Sequence, residues 1–433
     1  MKNIRISEIY YILAGLGYVA TLVFAGMRPG VFGAFLMGLV LIELMIGKRV
    51  AVHGMCDMLA VAFFAYQVLS VIWLLAGGYP FSVFANEFVS STLPMVFYFV
   101  GRSCGDRAGI WYRNYLYAML ILGILGVLMY ALAPQFYCDW AYRWSYISKA
   151  DAATMRVRMH SVVGSTCLSF IMVAGMLAGA YFLGSGTDGD DSPGNGDTDI
   201  DSQGNGTLGT GEKDPGKMGP SGRKNVIFAL VTIASCLLFA IMANQRSGLV
   251  AAGLVLVYIN YLLFFHLDLI RRKYFLYEII AIAAVFVLVC VVRFDFILKF
   301  WYRIISLPTA ISQRSEQWVA AVNNMYSSWI GNGLGANGHR ALGIEDAHVI
   351  ADGGLVKLYC ENGVVGISIF IFLLLQVLSG GIRNIRRYYV EVGIIIVALL
   401  QSIGSNMLAF QLCTPIFWFA VGRCGSCLGG NEE

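Results

Sequence analysis

Long apolar runs separated by short polar breaks dominate the chain from Ile9 to Leu428. A helix needs about 20 apolar residues to cross roughly 30 Å of hydrocarbon. Runs of suitable length cover 9–25, 31–46, 55–76, 81–100, 115–133, 161–183, 226–243, 248–266, 275–292, 363–379, 391–410 and 412–428. The second and last are short, and the tight turn between the last two could hide a re-entrant pair. The pattern predicts an all-α polytopic membrane protein with about twelve transmembrane helices, in a range of roughly 10–14.

These runs divide the chain into blocks. About six N-terminal spans occupy 1–183 and include a longer loop at 134–160. Residues 184–225 contain a Gly-, Asp- and Ser-rich stretch, densest at 184–222, which has no aromatic residue. Such a stretch cannot bury enough apolar area to offset chain entropy and is expected to be a disordered cytoplasmic linker, either regulatory or a neutral insertion. Central spans follow over 226–292, then a large loop at 293–362, then C-terminal spans over 363–433. No repeat of fixed period and no matched pair of interrupted apolar segments is visible.

Composition agrees with this pattern: 58% of the 433 residues are hydrophobic and 13% charged, with a mean hydropathy of +0.70. A water-soluble domain carries roughly a quarter charged residues. The net charge of +4 is scattered between apolar runs and excludes a nucleic-acid partner. The first apolar run has no small-residue cleavage site behind it and reads as a retained span. Ten cysteines form no framework; several sit inside apolar runs as small hydrophobes, and the Cys424–Cys427 pair lacks a second pair or a histidine.

Basic residues orient the spans. With the N-terminus inside, Lys2, Arg5, Lys48, Arg49, Arg102, Arg107 and Arg113 fall on the inner side. So do Lys213, Lys217, Arg223, Lys224, Arg271–Lys273, Arg383, Arg386, Arg387 and Arg423, while the short outer loops keep Arg28 and Arg246. Both termini are expected to be cytoplasmic.

Within a membrane protein, polar residues at costly positions carry the information. Four places stand out, all on the expected outer side. Arg156, Arg158 and His160 precede a small-residue helix start at Ser161–Ser165, where free N–H groups and the positive dipole end favour phosphate; otherwise these cations snorkel at the interface. Asn244-Gln245-Arg246-Ser247-Gly248 is a sharp polar turn that sets Arg246 at a cavity mouth. The large loop holds Arg314, Trp318 and the string Gly331-x-Gly333-x-Gly335. No βαβ unit surrounds that string, so a dinucleotide loop is rejected in favour of tight turns or close approach to a ligand. Finally, His348 and Asp352 would share a helical face and could act on a hydroxyl as base or orienting pair; Glu361 follows. A cluster of arginines suits a diphosphate and would stabilise charge on a departing phosphate.

In their order, Arg158-x-x-Ser161-x-x-Gly164, Gln245-Arg246-Ser247, Arg314-x-x-x-Trp318, Gly331-x-Gly333-x-Gly335 and Asp352 through Glu361-x-Gly363-x-x-Gly366 resemble the O-antigen polymerase (Wzy) family, within the wider group that includes O-antigen ligases. The resemblance spans most of the chain. It implies a metal-independent glycosyltransferase without cofactor, in the bacterial inner membrane, acting on undecaprenyl-diphosphate-linked oligosaccharide with the membrane lipid itself as neighbour and a chain-length regulator and flippase as partners. It further implies that Arg158, Arg246 and Arg314 bind the diphosphate, that His348 or Asp352 aids the acceptor hydroxyl, and that Arg156, His160, Gly333, Gly335 and Glu361 support them. Val349 and Gly353 stand where many relatives carry Asn, which leaves the base open between His348 and Asp352. A ligase passing glycan to lipid A core or protein would need the same donor site. A flippase or transporter would instead need ionisable residues deep in the spans, whereas Glu43, Glu87 and Glu391 lie near expected span ends.

Overall fold

The computed structural model describes residues 5–24, 28–144, 158–184, 220–266 and 307–428, with a few isolated positions besides. The expected span at 275–292, most of the 184–222 linker and Arg156 lie outside the described residues.

Helices α1 (Ile6–Ala20), α2 (Pro29–Ile46), α3 (Met55–Ala76), α4 (Phe81–Ser103) and α5 (Gly105–Leu132) form the N-terminal part, closed by the short α6 (Pro134–Arg143). There follow α7 (Ser165–Gly184), α8 (Pro220–Ala243), α9 (Arg246–Phe264), α10 (Leu307–Asn323), α11 (Gly354–Arg383), α12 (Ile385–Gly404) and α13 (Thr414–Gly425). No strand occurs among the described residues. Nine helices there are long and apolar enough to cross a membrane: α2 to α5, α7 to α9, α11 and α12. The chain is an all-α polytopic membrane protein. These nine match nine of the twelve expected spans. The first expected span is a helix of 15 residues. The last is the 12-residue α13, about 18 Å long and too short to cross alone.

Apolar residues face two ways. α7 is the central helix, 89% buried over its apolar window, while α2 and α3 are only 28% buried and turn Phe35, Ile42, Met58 and Leu69 outward. Apolar faces left exposed at this scale suit lipid. α13 owes its burial to close approach: every one of its residues is buried. Gly101 of α4 lies against the Phe419 carbonyl and Gly422 of α13 against the Tyr98 carbonyl, so a Cβ at either glycine would strike backbone.

One end of the bundle gathers ion pairs. Arg107 reaches Glu8 at 2.8 Å, Arg102 reaches Asp57 at 2.5 Å and Arg49 reaches Glu43 at 3.7 Å. Deeper at this end, buried Glu391 of α12 takes Arg423 Nε at 3.0 Å and the Tyr112 hydroxyl at 2.9 Å.

Two helices break for identifiable reasons. Pro94 removes an N–H from α4, which passes through a π turn at Phe88–Thr92 and a 3₁₀ turn at Leu93–Met95. The Ser90 carbonyl that Pro94 cannot serve takes the Thr414 hydroxyl of α13 at 3.2 Å. α11 breaks at Gly363, whose φ of 60° and ψ of −169° leave the helical region. The loop at 327–333 fills this gap. Asn332 N–H donates to the Cys360 carbonyl at 2.8 Å and Gly333 N–H to the Glu361 carbonyl at 3.0 Å, while Val364 and Val365 N–H groups donate to Ser328 and Trp329 carbonyls.

Candidate functional site at the polar end

Four segments distant in sequence meet at the end of the bundle opposite the ion pairs. α8 and α9 are joined by two residues, with Asn244 at φ 50° and Gln245 extended, giving the expected sharp turn. Gly248 allows it, because its Cα sits against the Ser169 side chain of α7. Gln245 accepts a hydrogen bond from Arg158 Nη1 at 2.9 Å, and Ser247 and Ser405 share one at 3.3 Å. Ser405 caps the far end of α12. One residue earlier, Gly404 lies under two of these groups: a Cβ there would come within 3.7 Å of Arg314 Nη1 and 3.9 Å of Ser247 Cβ.

Arg314, on α10, pairs through Nη2 with Asp352 Oδ2 at 2.7 Å, both side chains about a third exposed at 35% and 37%. Trp318, one turn further along α10, donates its indole N–H to the Asp352 carbonyl at 2.6 Å. Gly353, at φ 126°, lets the chain pass against that indole, and Gly354 then packs on the Ser405 carbonyl. Arg158, Gln245, Ser247, Arg314, Asp352 and Ser405 therefore form one polar surface. Arg246 stands half-buried at the first position of α9, beside Gln245 and Ser247.

Several expectations change. His348 and Asp352 do not share a helical face: residues 347–353 are irregular, α11 begins at Gly354, and Asp352 pairs with Arg314 instead. His348 is anchored by its backbone, its carbonyl accepting from Asn337 Nδ2 at 2.8 Å. Its imidazole is half-buried. His160 does not face the mouth. It is buried, and its Nδ1 accepts the Ser165 N–H at 3.1 Å, so it caps α7 from within. Burial, helped by the nearby Arg158 charge, lowers its pKa to about 4, which keeps the ring neutral and able to accept. The helix start at 159–165 is buried throughout and its first donor is used, so it is closed to a phosphate. Tyr137 of α6 holds this segment, giving its hydroxyl proton to the Arg158 carbonyl at 2.8 Å and accepting the His160 N–H.

The glycine string also takes a different part. Gly331, Gly333 and Gly335 have φ of 78°, 90° and 92°. They press against protein backbone rather than ligand: Gly331 on the Glu361 carbonyl, Gly333 on the Ser70 carbonyl, Gly335 on the Val83 carbonyl. The two glycine motifs are thus partners of each other, one filling the break that the other creates. Glu361 lies inside α11 rather than at the surface, because the helix starts nine residues before its expected span. There Lys357 bridges two carboxylates, at 2.5 Å to Glu87 and 3.2 Å to Glu361, all three buried. The spans therefore hold more buried charge than the pattern suggested, with Glu391 and Arg423 adding a second group.

Sequence reasoning missed Gln245, Ser405 and Lys357. In the sequence Gln245 reads only as part of a turn, and Ser405, inside an apolar run, carries no signal of its own. No group of three or more His, Cys, Asp or Glu able to hold a metal ion occurs among the described residues. Compared with protein-family models and with curated proteins, the chain matches none.

Proposed function

We propose that this protein polymerises undecaprenyl-diphosphate-linked oligosaccharide units into a cell-surface polysaccharide at the outer face of the bacterial inner membrane, with both termini cytoplasmic. One observation carries the reading: Arg158, Arg246 and Arg314 come from three separate segments to one end of the bundle, beside Asp352. A polyprenyl tail would lie in lipid against the apolar faces, bringing its diphosphate to that end. The positive-inside distribution of the remaining lysines and arginines supports facing this end outward.

In this reading the acceptor sugar hydroxyl attacks the anomeric carbon of the donor glycan. The bond from that carbon to the diphosphate oxygen breaks, and the diphosphate leaves with the electron pair. Arginine forks hold the departing charge. Asp352 orients Arg314, and the hydroxyl proton passes to His348, four residues before Asp352 in the chain. Purified protein given a synthetic lipid-diphosphate repeat unit should yield a ladder of products on a gel. Transfer of a finished chain to lipid A core or protein without a ladder would make it a ligase instead.

A second reading rests on the buried Glu87–Lys357–Glu361 group beside the break of α11 at Gly363. Interrupted helices with buried charge occur in transporters, so carriage of the lipid-linked oligosaccharide is the rival. Movement of labelled lipid across vesicles without any ladder would favour it.

A further inference from the structure

Below the polar end, a small cavity of about 40 Å³ lies between α3, α4, α11 and the segment leading into α13. Gln67, Glu361 and Asn406 line it. Each is buried, at 3%, 2% and 4% exposure, and each has one oxygen without a hydrogen-bond partner: Gln67 Oε1, Glu361 Oε1 and Asn406 Oδ1. The backbone N–H of Asn337 neighbours the Glu361 carboxylate but closes no hydrogen bond on Oε1.

The amides cannot simply be reversed. Gln67 Nε2 donates to Asn362 Oδ1 at 2.7 Å, and Asn362 Nδ2 in turn donates to the Leu358 carbonyl at 2.8 Å. Asn406 Nδ2 donates to the Ile350 and Ala351 carbonyls at 2.9 and 3.2 Å. Each nitrogen faces an acceptor, which fixes each oxygen as a second acceptor. Three elements thus bring buried acceptor oxygens to the lining of one cavity, where leaving them unmade is costly.

Charge points the same way. Lys357 already serves Glu87 Oε1 and Glu361 Oε2, so two carboxylates and one ammonium leave this buried group one positive charge short. A proton on Glu361 would restore neutrality, but its one O–H could satisfy only one of the two amide oxygens. A desolvated cation answers all three oxygens together. One missing charge and two neutral carbonyl donors match a monovalent ion; calcium and magnesium sites call on more carboxylate and water.

We propose that Gln67 Oε1, Glu361 Oε1 and Asn406 Oδ1 bind one small monovalent cation of the sodium or potassium class, tying α3 and the broken α11 to the segment before α13. The site stands independently of the polymerase reading. Full-length protein in detergent micelles would be melted in sodium, potassium, magnesium or N-methylglucamine chloride at constant ionic strength. Sodium or potassium should raise the melting temperature saturably by about 2–4 °C over N-methylglucamine. Glu361→Gln should abolish the shift. Gln67→Met, which keeps shape and charge, should raise the half-saturating concentration about tenfold and serves if the first variant does not fold. Equal melting in all four salts would overturn the site, as would a shift retained in both variants. Melting that follows pH and not cation would assign the missing charge to a proton.

Discussion

Arg314 and Asp352 illustrate how a residue's chemistry depends on its partner. Their pair is a third exposed, so it contributes modestly to stability, and its worth would lie in aiming the guanidinium. Under the polymerase reading, Arg314→Ala is expected to lower chain extension by about 10²–10³-fold, the usual loss of one donor to a developing oxyanion. Asp352→Asn, which releases Arg314 from its carboxylate, and His348→Ala, which removes the proposed proton acceptor, should each lower the initial rate of extension, which a timed gel assay checks. His160 gives a stability prediction. Its ring is neutral when folded, with a pKa near 4 against about 6.5 unfolded, so the unfolded chain binds more protons between those values. Its stabilisation is complete above about pH 6.5 and is withdrawn as pH falls toward 4, by about 3 kcal/mol. Melting at pH 7.5 and 4.5 should show this loss, and His160→Gln, whose amide oxygen can accept but not titrate, should show much less. The sequence marked His160 as notable but not its direction, since Tyr137 and Ser165, which turn it inward, carry no motif.

At the scale of elements, apolar run length made nine helices readable, because lipid-facing helices must be apolar over their whole length. It failed where a helix is set by neighbours. α13 reads as a span but is a short helix held by Gly101 and Gly422 against facing backbone. Gly422→Leu is expected to drive α13 from α4 and cost about 3 kcal/mol, seen as a lower melting temperature. α11 begins ahead of its apolar run, since Lys357 and Glu361 look like loop residues until Glu87, 270 positions away from Lys357, is brought beside them. Along the chain the two glycine motifs stand apart. Their mutual fit, loop 327–333 into the break at Gly363, is a long-range pairing that spacing along the chain does not express.

For the whole molecule, the two ends differ in how their charges are used. At one end Arg107, Arg49, Arg102 and Arg423 pair with Glu8, Glu43, Asp57 and Glu391. At the other, Arg246 has no carboxylate partner among the described residues, Arg314 shares its carboxylate at the surface, and Arg158 donates to the Gln245 amide. That asymmetry is what a diphosphate head group at a membrane face would use. The class was legible from composition and apolar run length, while the convergence of three arginines needed the fold. The most direct measurement is extension of a synthetic undecaprenyl-diphosphate repeat unit by purified protein, resolved on a gel, for wild type, Arg246→Ala and Arg314→Ala. A ladder from wild type, lost in both variants while their melting is unchanged, is the expected result. No ladder from the wild-type protein with any repeat unit tried, or full ladders from both variants, would contradict it.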